Sequence, residues 1–250
     1  RVADFIAANY SATPESSNFD PNYVALYLFN GTSYQYVAIS TGWGNSTYLN
    51  EEYIQAGQGF FVLAMNDNST FTFSQGMQGH DTGVTLLKSA KTGDRWPGLQ
   101  LKVKNAGVEN LTTIVFNDEM TAGLDPGYDV GLMGSGRGIG IYTSLVEDNG
   151  VNFARQALPV NGNNKDIVPV GIDFARGGEV TFSAEVEQLR NYKFILEDRV
   201  TGIFTDLNSN SYTVTLPVNT LGTGRFFVHV TAGRGLRQRA ENNTLPDVRI

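Results

Sequence analysis

The chain has no cysteine, only two histidines and little charge, and each shortage removes a class of chemistry. Without cysteine there is no disulfide framework, zinc–thiolate centre, iron–sulfur cluster or thiol nucleophile. The lack of cysteine is compatible with a bacterial exported protein that never relied on disulfides. Charged residues are 17% of the sequence, against about 25% in ordinary soluble domains. The net charge of −7 repels a phosphate backbone, so no nucleic-acid partner is expected. Arg234, Arg237 and Arg239 form the one basic cluster and read as a solvated linker. No apolar run approaches the roughly 20 residues that span a bilayer. The sequence opens on Arg1 instead of methionine and so reads as a processed chain or a portion of a longer one.

What replaces the missing charge is glycine, 28 residues of it, together with abundant Asn, Thr and Ser. Gly and Asn tolerate the positive φ of tight turns, while Thr packs well on a pleated surface. Short apolar runs follow one another with no amphipathic helix between them. The expected fold is therefore all-β: two antiparallel β-sandwich regions in tandem, with a short N-terminal helix over Val2 to Asn9. Strands are expected at 23–29, 34–40, 59–65 and 70–74, with Asn30-Gly31 a candidate turn. After the charged, Gly- and Pro-bearing stretch from Lys88 to Pro97, runs follow at 99–104, 112–116, 153–158, 168–174, 179–186, 192–198, 211–216 and 225–231. The expected regions are 1–92, lacking its first strand, 98–232, and a linker with the start of a further strand over 233–250.

Few residues suggest chemistry. His229 alternates with Phe227 on one strand face and reads as structural, and His80 beside Asp81 reads as solvated. There is no Gly-x-Ser-x-Gly elbow or His-Glu-x-x-His helix. Gly134, Gly136, Gly138 and Gly140 miss the dinucleotide-binding spacing and read as a surface loop. No catalytic residue is expected. Asp118, Glu119, Asp125 and Asp129 lie in one loop, FNDEMTAGLDPGYD, whose Pro and Gly can fold carboxylates together. Such a loop suits Ca²⁺, though its spacing is not that of an EF-hand and loop carboxylates are ordinarily just solvated. No other cofactor is expected. Tyr27, Tyr34, Tyr36, Trp43 and Tyr48 enrich the first half in aromatics, which serve either the core or a glycan-stacking platform. Trp43 and Tyr48, in a Gly-rich loop, are the candidate glycan contacts. Five Asn-x-Ser/Thr sequons, at Asn30, Asn45, Asn68, Asn110 and Asn242, would matter only in a eukaryotic secretory protein.

Several segments resemble the surface and secreted proteins of the Bacteroidetes that the type IX secretion system exports. Ala3 to Asn9 resembles a segment that follows a Gly-Asn-Pro-Tyr motif in those proteins. Tyr23 to Tyr36 resembles their strand–turn–strand, and Ile54 to Val62 (IQAGQGFFV) their Gly-Gln-Gly-Phe-Phe-Val strand. Phe116 to Asp129 resembles a recurrent loop, and Arg225 to Val230 (RFFVHV) the strand that closes the last sandwich. Asp247 to Ile250 resembles the first strand of a C-terminal sorting domain. The matches are spread over most of the chain in the family's order. That resemblance implies an extracellular or cell-surface location and transfers no catalytic residue.

The expected function is a non-enzymatic structural or adhesive segment. Its partners would be other protein chains, copies of itself in a homo-oligomer or filament included. The alternative is a carbohydrate-binding module or accessory sandwich of a secreted hydrolase.

Overall fold

Helix α1 (Val2–Asn9) places Val2, Phe5, Ile6 and Asn9 on one buried face, the i, i+3, i+4, i+7 spacing of an amphipathic helix. Asn9 ends it and does a second job. Its amide donates to Phe5 O at 2.8 Å and Thr72 O at 3.0 Å, and its Oδ1 accepts from Thr72 N at 2.6 Å. One side chain thus pins the 70–74 segment in place of a strand ladder. The computed structural model describes residues 1–13, 16–29, 33–39, 53–54, 56–79, 96–134, 138–145, 149–159, 166–187 and 192–232.

Strands β1 (Ala25–Phe29) and β2 (Tyr34–Ala38) pair antiparallel, Tyr27 opposite Tyr36. Among the described residues, the extended segment expected as a strand at 59–65 makes only isolated bridges, Phe61 to Tyr27 of β1 and Ala64 to Phe19 ahead of it. A 3-10 turn at Pro21–Tyr23, capped by Asp20 accepting from Asn22 N, interrupts the facing chain between those two bridges. A continuous ladder has no partner to run along. Phe5, Phe19, Leu26 and Val37 bury the core of this lobe.

The remaining strands build a single eleven-stranded sheet. They are β3 (Gly98–Asn105), β4 (Val108–Phe116), β5 (Val130–Gly131), β6 (Gly140–Thr143), β7 (Phe153–Leu158), β8 (Asp166–Phe174), β9 (Gly178–Glu187), β10 (Tyr192–Asp198), β11 (Ile203–Asp206), β12 (Tyr212–Leu216) and β13 (Thr220–Ala232). Their order is β11-β10-β13-β8-β6-β7-β4-β3-β9-β12, with β5 on β7. Ala106 and Gly107, both at positive φ, make the two-residue β3–β4 turn, the mirror-image type that matches strand twist. Pairing is antiparallel except between β4 and β7, which run parallel. No local pattern announces that pair, because its partners are separated by the whole 117–152 excursion.

The sheet folds back on itself. Phe182 of β9 lies 4.7 Å, ring to ring, from Phe226 of β13, and Phe116 of β4 lies 6.1 Å from Phe194 of β10. Leu99, Leu101 and Val103 face the same interior as Phe226, Val228 and Val230. Each such side chain contributes about 1.5–3 kcal/mol on burial. The fold is all-β with one short helix, as expected.

The two regions share a packed surface. Ala25, Tyr27, Tyr36 and Ala38 of the β1–β2 pair cluster with Val130 of β5 and Ala154 of β7. The Tyr27 hydroxyl donates to Gly131 O at 2.9 Å. Every residue of β7 is consequently buried, core on one side and the N-terminal lobe on the other. The expected boundary falls mostly at 88–95, outside the described residues, as does all of 233–250.

Candidate functional site

Burial at the junction of lobe and sheet creates the most unusual chemical environment among the described residues. Arg155, in the middle of β7, is wholly buried, an exceptional state for an arginine. Its guanidinium carbon lies 5.8 Å from the centre of the Trp96 ring, within cation–π range. Trp96 stacks in turn on Tyr128 at 5.4 Å and 11° between planes. The positive charge also acts on Tyr36 and Asp129, opposing the burial that pushes the Tyr36 hydroxyl up to about 12.

Asp129 is fully buried beside it. Its Oδ1 accepts from Ala157 N and its Oδ2 from Asp125 N, both at 2.7 Å. Desolvation outweighs these two donors and the arginine charge, and raises the carboxyl to about 7. Asp125 accepts from Thr121 N at 2.7 Å and from the Thr121 hydroxyl at 3.1 Å. The acidic loop therefore brings Asp125 and Asp129 together as caps of their own turn, each carboxylate already engaged by backbone N–H groups. Asp118 and Glu119 are exposed, with Glu119 N donating to Asn117. Among the described residues no three His, Asp or Glu side chains come together in a way that could hold a metal ion.

The other sequence candidates fall in three places. Trp43, Tyr48 and His80 lie outside the described residues. Tyr27 and Tyr36 are core residues at the junction, not platforms. His229 sits on the outward face of β13, as its alternation suggests, with Nε2 2.7 Å from Glu197 Oε2. That hydrogen bond, helped by Arg199, lowers the Glu197 carboxyl. Arg199 covers the Phe227 ring at 3.5 Å. Among the described residues this histidine hydrogen-bonds Glu197 on the neighbouring strand and no hydroxyl nucleophile, so the pair reads as a cross-strand contact.

One buried network was not foreseen. Asp198, at the end of β10, takes Arg225 Nε at 2.9 Å and Arg225 Nη2 at 2.8 Å, a bidentate pair. It also accepts from the Tyr212 hydroxyl at 2.9 Å and from Val200 N at 3.0 Å. Burial works against the charge, yet these donors together hold the carboxyl below the usual carboxylate range. The signal lay in Asp198 and Arg225 as the two charged residues flanking apolar strands, but their pairing is non-local.

Among the described residues two surfaces are open. β11 and β12 end the sheet, and Ile203 and Phe204 on β11 are 46% and 60% exposed. A cleft of about 810 Å³ opens in the N-terminal lobe between α1 and the 73–79 segment. No helix among the described residues is long and apolar enough to cross a membrane.

These features define a β-rich module with one helix, a charge-locked sheet and an N-terminal lobe seated on β7. The chain belongs to the family described as Domain of unknown function (DUF8693), which matches residues 3–229 and so takes in both lobe and sheet. No curated protein and no solved structure matches it.

Proposed function

We propose that this chain is a non-enzymatic structural or adhesive module of an exported bacterial surface protein. It engages other protein chains, copies of itself included, by adding a strand at the edge of β11. The observation that carries this reading is the character of that edge. β11 is the terminal strand of the sheet, its register with β10 is continuous, and it presents no lysine or proline, its one charge being Asp206 at the strand's end. Soluble proteins ordinarily blunt such edges with lysine, proline or a bulge, because unpaired N–H and C=O groups are templates for another strand. The resemblance of 54–62 and 225–230 to type IX secretion substrates supports the exported, cell-surface setting. Sedimentation velocity of the chain and of Phe204→Lys tests the contact: the wild type associates, and the added edge charge suppresses it.

A further inference from the structure

The cleft in the N-terminal lobe has a lining that the strand-edge reading does not use. Its floor is apolar, with Phe5 and Leu26 buried, and Phe60, Phe73 and Tyr53 stand around it. Phe73 packs one ring face on Phe5, with centroids 4.6 Å apart and 30° between planes, yet stays 67% exposed. An aromatic ring backed on one side and open on the other is a stacking surface. Phe60 flanks it at 6.3 Å, tilted by 51°.

Around these rings the uncharged polar lining is mainly primary amides, Gln58, Gln75 and Gln78, with Ser74 beside them. An amide offers two donors and an acceptor with no net charge, which matches hydroxyl groups and not ions. Among the described residues no carboxylate lines the cleft, and Arg1 is the one charged side chain there. Local structure places the amides. A 3-10 turn at Gln75–Met77 is closed by Met77 N donating to Ser74 O at 3.1 Å and Gln78 N to Gln75 O at 3.1 Å. Gly79 sets the wall, since a Cβ there would stand 2.8 Å from Tyr53 Cε1. A larger residue there would push that ring away from the main chain. The volume, about 810 Å³, falls within the range of small-molecule sites.

We infer that this cleft binds a neutral oligosaccharide, a sugar's apolar C–H face stacked on Phe73 and its hydroxyls bonded to Gln58, Gln75 and Gln78. Aromatic faces beside uncharged amides are the chemistry a polyol ring requires, apolar on its faces and rich in hydroxyls at its rim. The proposal stands apart from the β11 edge.

The test is binding of the whole chain to an array of neutral glycans, then calorimetric titration with the free form of the strongest hit. Phe73→Ala weakens binding by about tenfold or more, the loss of one stacking face. Phe73→Tyr preserves it, and Gln75→Leu weakens it, with unchanged unfolding midpoints for all three. Phe204→Lys leaves binding intact, separating this site from the strand edge. The inference is overturned if no neutral glycan binds, or if binding is indifferent to Phe73→Ala. Enhanced fluorescence of anilinonaphthalene sulfonate without glycan binding would also overturn it, by making this an apolar-ligand cleft.

Discussion

The Tyr212 hydroxyl donates to Asp198 at 2.9 Å, joining β12 at one end of the sheet path to β10, the second strand from the other end. A side-chain clasp thus spans the seam where no backbone ladder is formed. Tyr212→Phe is expected to cost about 1.5–3 kcal/mol, the worth of a hydrogen bond to a charged group. Asp198→Ala costs more, about 3–5 kcal/mol, because it leaves the Arg225 charge without its partner. Urea unfolding of both variants and the double variant checks this. Tyr212→Phe should add almost nothing once Asp198 is gone.

The two buried carboxylates have opposite pH signatures. Asp129 rises from 3.8 to about 7 in the fold, so the folded state holds a proton that the unfolded chain releases. Its contribution favours folding below 3.8 and is lost progressively as pH rises to about 7, then is constant. Asp198 is lowered, so its contribution is present above 3.8 and is lost as pH falls through its folded value. Stability should therefore decline on going from about pH 5 to about pH 8. In Asp129→Asn that decline flattens, at the cost of one backbone acceptor. Urea midpoints across the range measure it, and an equal slope in both proteins would sink the assignment.

Seating of the N-terminal lobe on the sheet depends on Gly131. A Cβ there would meet the Tyr23 ring and stand 2.9 Å from Asn22 O, a backbone atom. Gly131→Ala should destabilise by about 1–3 kcal/mol, as overpacking does. It should also speed proteolysis within the lobe. Tyr27→Phe removes only the hydrogen bond to Gly131 and should cost about 1 kcal/mol. Limited proteolysis read by mass spectrometry distinguishes a lobe that has lifted from one that has not.

Where one face of an element meets the core and the other meets water, the pattern was legible. Leu99, Leu101 and Val103 point inward while Lys102 and Lys104 do not, and Phe226, Val228 and Val230 alternate with Phe227 and His229. Helix α1 and strands β7 and β10 were legible at their observed bounds. β7 was legible as a strand but not as a doubly covered one, since FARQAL carries an arginine where burial on both faces ordinarily needs apolar residues. The segment at 59–65 is apolar enough for a strand, but the Pro21–Tyr23 turn removes its partner. β5, β6 and β11 are too short for alternation to reveal. The Asp198–Arg225–Tyr212 clasp and the amide-lined cleft are assembled by tertiary contact between distant segments, which no local pattern encodes.

The central claim, that this module meets other chains at β11, is tested most directly by comparing the solution mass of the chain with that of Phe204→Lys across a concentration series. A mass that rises with concentration in the wild type, and stays at the 27.2 kDa of one chain in the variant, is the predicted result. A wild type that remains at one chain's mass throughout, or a variant that associates equally well, would contradict it.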